Sequence, residues 1–209
     1  MSSYSEISVL FNNLHASLER IKYEARSKLL SSIEGSSLEF LKTLDQTKLV
    51  GSMLTQFPLS VPKIDLNSVE ISQEEVRINT NSSLSIGTGT GRNPIVMGTR
   101  IIYTIPYTGS RDLFFCKPSM NGMSVYPRGI VGAKNLQLCF DYQNLSNANV
   151  EGESGTAIGQ VNQYLAWLEP EVEQVKTDMK QIANEKITAK LARDAEASEV
   201  IESLRKPKS

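Results

Sequence analysis

IVMGTRIIYTIPY, residues 95–107, is the stretch on which the fold turns. It is dense in β-branched and aromatic side chains and runs into the turn-forming TGSR at 108–111, so it reads as a long strand. Gly98 within it marks a bulge or a close backbone approach. DLFFCK at 112–117 then reads as the returning strand, which makes 99–117 a β-hairpin. Upstream, Val69, Ile71, Val76 and Ile78 flank an acidic SQEE step, and SSLSIG follows after NTN. Downstream, NLQLCFDY at 135–142 alternates Leu136, Leu138 and Phe140 with Gln137, Cys139 and Asp141, the period of a half-buried strand. Five to six strands result, joined by short connections. A parallel sheet would need helical crossovers between them, so the sheet is expected to be antiparallel.

On both sides of this region the period changes. Ile7, Phe11, Leu14, Leu18, Ile21 and Ala25 follow one another at spacings of 4 and 3, the seam that a supercoiled helix offers to a partner. Ser2, Ser3 and Ser5 are candidate N-caps, with Glu6 completing a capping box from Ser3. Gly35, Ser36 and Ser37 interrupt that helix. A second one carries Leu38, Leu41, Leu44, Leu49 and Met53 until Pro58 and Pro62 forbid its continuation. At the other end Val161, Leu165, Leu168, Val172, Val175, Met179 and Ile182 keep the same spacing before Ile187 and Leu191 shift the stripe sideways. Pro170 lies inside this pattern and implies either a kink or a new helix whose first turn accepts it. A continuous helix over 156–204 would be roughly 70 Å long, which outgrows a small β domain. The fold class is therefore α+β: residues 1–57 form an N-terminal helical segment and 58–150 a small antiparallel β domain. Residues 151–209 form a long helix that packs with 1–57 as a coiled-coil-like stalk or bundle.

Composition limits the chemistry. Across 209 residues, 22 Lys and Arg balance 23 Asp and Glu, which argues against a dedicated polycation. One histidine, His15, and two cysteines, Cys116 and Cys139, are too few for a histidine-rich metal site, a four-thiolate zinc site or a disulfide scaffold. The cysteines are expected to be reduced and buried as small apolar residues in strands. MSSYSEISV lacks the pattern of a secretory leader, and no run approaches the roughly 20 apolar residues of a membrane span, so a cytoplasmic location without membrane contact is expected.

Local motifs are sparse. GTGTGRNP at 87–94 has neither a GKS/T ending nor GxGxxG spacing, and a strand follows it where a phosphate cradle needs a helix. It reads as a glycine-rich connection carrying Arg92. A Ser, His, Asp set would have to use His15 as its base, and His15 reads instead as a residue flanking the first helical seam. Glu74 and Glu75 are adjacent and point to opposite faces of a strand, so they form no catalytic pair. No cofactor or metal is implied.

Charge is uneven along the chain. Residues 91–134 carry Arg92, Arg100, Arg111, Lys117, Arg128 and Lys134 against Asp112 alone, a net +5. Residues 146–175 carry five glutamates and no base. The basic stretch reads as solvated side chains, as a surface facing the acidic start of the last helix, or as a nucleic-acid face. In the last case Arg92, Arg100, Arg111, Lys117 and Arg128 would meet phosphates while Tyr103 and Tyr126 stack on bases. The expectation is a non-enzymatic structural or adaptor protein that self-associates or docks to a partner subunit. Its assembly seam would be Phe11, Leu14, Leu18 and Ile21 together with Val161, Leu165, Leu168, Val172, Val175, Met179 and Ile182. The alternative is a nucleic-acid-binding accessory subunit using the basic, aromatic face of the β domain.

Overall fold

The computed structural model describes residues 7–13, 15–43, 45–79, 95–120 and 126–205. The capping serines with Glu6, Leu14, Leu44, the SSLSIG strand and the glycine-rich 87–94 with Arg92 lie outside the described residues. The elements run β1 (Ser8–Val9), α1 (Leu18–Gly35), α2 (Leu38–Thr43), α3 (Gln46–Leu54), β2 (Lys63–Ile64), β3 (Glu70–Asn79), β4 (Ile95–Thr108), β5 (Arg128–Val131), β6 (Asn135–Tyr142) and α4 (Val150–Arg205). Short 3₁₀ turns at Leu66–Ser68, Arg111–Phe115 and Leu145–Asn147 join them. This is the expected α+β fold, with a curled antiparallel sheet and a long last helix. It forms two compact units, Met1–Ser17 with Val61–Leu168, and Leu18–Ser60 with Glu169–Ser209.

In the β unit every strand pairing is antiparallel, in the order β1-β5-β6-β4-β2, with β3 also on β4. The stretch 95–107 is its central strand. Glycine at 98 is needed for close approach: a Cβ there would collide with the Ile78 side chain and lie 2.6 Å from the Tyr142 carbonyl oxygen. Register is regular through Gly98, which pairs with Val76, so there is no bulge. The hairpin expected over 99–117 does not form. Residues Arg111–Phe115 are a 3₁₀ turn, because Leu113, Phe114, Phe115 and Cys116 are all buried in succession, whereas a strand sends alternate side chains to opposite faces. Cys116 accordingly caps that turn and is not in a strand.

The N-terminal seam also needs correction. Residues 8–9 are a strand on β5, and helix α1 begins only at Leu18. Phe11 and Asn13 adopt left-handed backbone angles, φ 54° and 60°, which no α-helix accepts. For Phe11 this conformation costs on the order of 1–3 kcal/mol. Its amide donates to the Phe114 carbonyl at 2.8 Å, and its ring stacks on Tyr164 at 4.7 Å. Burying such a ring gains about as much as the backbone loses. Around it Phe114, Tyr107, Tyr126 and Trp167 complete an aromatic core. Tyr142, also buried, donates to Glu153 Oε2 at 2.9 Å.

The helical unit packs α1 and α3 on residues 169–205 of α4. Lys22 meets Asp178 at 3.0 Å, and Lys190 Nζ donates to the carbonyls of Ile33, Glu34 and Ser36 at 3.0, 2.8 and 2.7 Å. Contacts advance together along both helices, so α1 runs parallel to α4. Gln46 Nε2 donates to the Asn184 carbonyl and Thr188 Oγ1, while residues 51–54 lie beside Val175 and Met179, so α3 runs antiparallel. The single helix expected after Gly35 is divided, because Asp45 caps α3 through the amides of Thr47 and Lys48. Pro170 is exposed and lies inside α4 without ending it.

Lys190 supplies a cation and three donors to the carbonyls that α1 leaves open at its C-terminus. Lys190→Met should therefore cost about 2 kcal/mol, read as a lower urea midpoint for loss of helical circular dichroism. The Tyr142 phenol is pushed up to about 12 by burial and then by its bond to Glu153. The folded state thus holds its proton where the unfolded chain has lost it, and stability should fall as pH rises from about 10 to about 12. Tyr142→Phe should reduce that fall in urea melts on either side of the window.

Candidate functional site

The seam residues are split between the two units. Val161, Leu165 and Leu168 of α4 are buried in the β unit with Phe11. Leu18, Val172, Val175 and Met179 are buried in the helical unit, where Ile21 and Ile182 are partly covered. Past Ile182 the buried positions become Ala183 and Ile187, following the sideways drift of the stripe. These side chains are therefore covered by the chain's own elements. The apolar residues of α4 that remain open lie further on: Val200, Ile201 and Leu204 are 58%, 49% and 80% exposed. With Ala197 they share one helical face, since positions 3 and 4 apart are neighbours on a helix.

Among the described residues, several of the basic side chains are held by acceptors or rings of the chain itself. Arg100 stands in register with Glu74 on β3 and Asp141 on β6. Its Nε and Nη2 donate to the two Asp141 oxygens at 2.6 and 3.0 Å, and Nη1 to Glu74 Oε1 at 3.3 Å. The Asp141 bond dominates in holding its proton more tightly than usual. Tyr103, three positions on, faces the opposite side of the strand, edge-on to Phe140 at 5.8 Å. Arg111 Nε donates to the Val131 carbonyl at 3.0 Å. Lys117 Nζ lies 5.9 Å from the centre of the Tyr126 ring, which itself stacks on Tyr164. Arg128 is exposed on β5 opposite Val9. Phosphate contact by Arg100 would have to displace two carboxylates.

Two of the concavities contrast in chemistry. In the β unit, Ser8, His15, Arg111 and Asp112 line a cleft of about 370 Å³. His15 is in a bend and not beside a helical seam, exposed, with its ring edge-on to Phe115 at 5.1 Å. An imidazole, a hydroxyl, a guanidinium and a carboxylate thus border one polar cleft, although no local motif announced it. In the helical unit, Gly51, Leu54, Phe57, Leu59, Val175 and Met179 border an apolar groove of about 300 Å³, with Lys176 at its edge. Sequence reading missed this groove. Its one signal was Gly51, a glycine inside an otherwise helical pattern. Among the described residues no three His, Cys, Asp or Glu side chains converge to hold a metal ion, and no helix is long and apolar enough to cross a membrane.

Comparison with family models, curated proteins and solved structures finds no match to this chain. Arg100→Gln should lower stability by about 1 kcal/mol, because it leaves Asp141 and Glu74 without their shared cation. It should leave retention on single-stranded oligonucleotide columns at low salt unchanged; a parallel loss of retention would return Arg100 to the nucleic-acid face.

Proposed function

We propose that this is a non-enzymatic structural or adaptor protein that works by helix-mediated association, with itself or with a partner subunit, in the cytoplasm. The observation that carries the reading is the open end of α4, where Val200, Ile201 and Leu204 present an apolar face to solvent. Large apolar side chains scattered singly are ordinary on a surface. Three on one face of a terminal helical segment are the pattern of a helix seeking a groove or another helix. The seam between Val161 and Ile182 holds the chain's own cores, which leaves docking to the end of the helix. Glu196, Glu199 and Glu202 keep the rest of that segment acidic and solvated. The nucleic-acid alternative ranks second, because Arg100 and Arg111 already donate to acceptors of the chain itself.

Light scattering on the purified chain tests the reading. The expected mass is a multiple of 23.1 kDa, falling to that value in the double variant Val200→Asp, Leu204→Asp with circular dichroism unchanged. A wild-type mass of 23.1 kDa at every concentration would remove self-association and leave docking to a different subunit. Val172→Asp and Val175→Asp cannot serve as the test, since a charge at either buried position should unfold the helical unit.

A further inference from the structure

Strand β3 stands at an edge of the sheet, with β4 on one side and, among the described residues, no strand on the other. Which of its backbone groups face outward follows from β4. The Tyr107 amide donates to the Lys134 carbonyl on the β6 side, and the Pro106 carbonyl accepts from the Asp65 amide on the opposite side. Backbone groups alternate sides along a strand, so the even-numbered residues of β4 turn theirs toward the even-numbered residues of β3. Ile71, Gln73, Glu75 and Arg77 therefore point their N–H and C=O groups away from the sheet.

Folded proteins commonly blunt such an edge with a short strand, a proline, a bulge or charged side chains. The opposite edge, β1, has two residues. Strand β3 has 10, with no proline and an unbroken register on β4. Ile71 is 63% exposed, and Gln73, Glu75 and Arg77 are exposed as well, so the edge is open. Its charges are of both signs. Glu74 is engaged by Arg100 at 3.3 Å. Glu75 and Arg77, on the other face, stand opposite Thr99 and Met97 of β4 and have no ion-pair or hydrogen-bond partner among the described residues.

This pattern is complementary to itself. Two copies paired antiparallel about a two-fold axis through Val76 set Glu75 of each opposite Arg77 of the other. An axis through Glu75 would set that carboxylate against itself, and one through Glu74 would do the same there while leaving Glu75 opposite Gln73. Opposite charges across a strand pair stabilise it and like charges oppose it, so charge selects the register at Val76. In that register the outward backbone groups of Glu75 and the partner's Arg77 meet, as do those of Gln73 and the partner's Asn79.

We infer that β3 is a self-pairing edge, to which a second copy of this chain adds antiparallel with Val76 on the two-fold axis. The contact stands apart from association through α4, because it uses none of the residues at the end of that helix. One added strand pair contributes little by itself, so it forms at high protein concentration and leaves the α4 variant at 23.1 kDa in dilute solution.

Disulfide trapping tests it. Val76 and the partner's Val76 exchange no backbone bonds, which brings their Cα atoms to about 4.5 Å, within disulfide reach. In concentrated protein under oxidised glutathione, Val76→Cys should form a covalent dimer about tenfold faster than Ser72→Cys, an exposed position on the same face, with circular dichroism unchanged in both. The unsubstituted chain, with Cys116 buried and Cys139 half-buried, should form none. Adding Arg77→Glu to Val76→Cys should slow trapping about tenfold, and adding Glu75→Arg as well should restore it. With no substitution in β3, amide exchange at Glu75 and Arg77 should slow several-fold as concentration rises.

Trapping no faster than at Ser72→Cys, or exchange indifferent to concentration, would overturn self-pairing. Indifference to Arg77→Glu, or no rescue by the double exchange, would overturn the register. Trapping of Val76→Cys onto another protein in a lysate, and not onto itself, would give the edge to a different partner and likewise overturn the inference. The same trapping is expected in the Val200→Asp, Leu204→Asp background, so its failure is told apart from failure of association through α4.

Discussion

Both cores are completed by side chains from one helix, and the burial of its apolar stripe is the constraint on which the rest depends. In the β unit Val161, Tyr164, Leu165 and Leu168 of α4 are buried beside the sheet and the turn that carries Phe114. In the helical unit Val172, Val175, Met179, Ala183 and Ile187 fill the space left by α1 and α3. Each Val, Leu, Ile or Met among them contributes roughly 1.5–3 kcal/mol when fully buried, so neither unit can spare its share. Pro170 falls two residues beyond the boundary of the units, is exposed, and leaves the stripe unbroken.

The same economy explains where function can reside. Residues that hold a core cannot also present a docking face, so attention moves to surfaces the cores leave open. Among the described residues they include the end of α4, the cleft around His15 and the groove beside Gly51. These differ in chemistry: an apolar helical face, a polar cleft and an apolar groove.

Much of the fold was legible because periodicity reports directly on burial. The central strand 95–107, the strand 135–142 and the long last helix all show the period of the element they form. Where reading failed, the cause was a local pattern overruled by a distant partner. Ile7, Phe11, Leu14 and Leu18 have perfect heptad spacing, yet the backbone at Ser8 and Val9 pairs with Arg128 and Gly129, and Phe11 turns into an aromatic cluster. DLFFCK alternates no better as a strand than as a turn, and four successive buried side chains settled it as a turn. Arg100 and Tyr103, close in sequence, lie on opposite faces of the sheet, so no single face presents both.

Composition and period alone therefore determined the class: α+β, an antiparallel sheet, and a helix too long for a small domain. They also set the scarcity of histidine and cysteine that weighs against metal chemistry. Tertiary structure decided which apolar residues are consumed in the cores and which remain open, because burial depends on what arrives from elsewhere in the chain. Val175 and Val200 are the same residue type on the same helix. Only the packing of α1 and α3 makes one a core residue and leaves the other facing solvent.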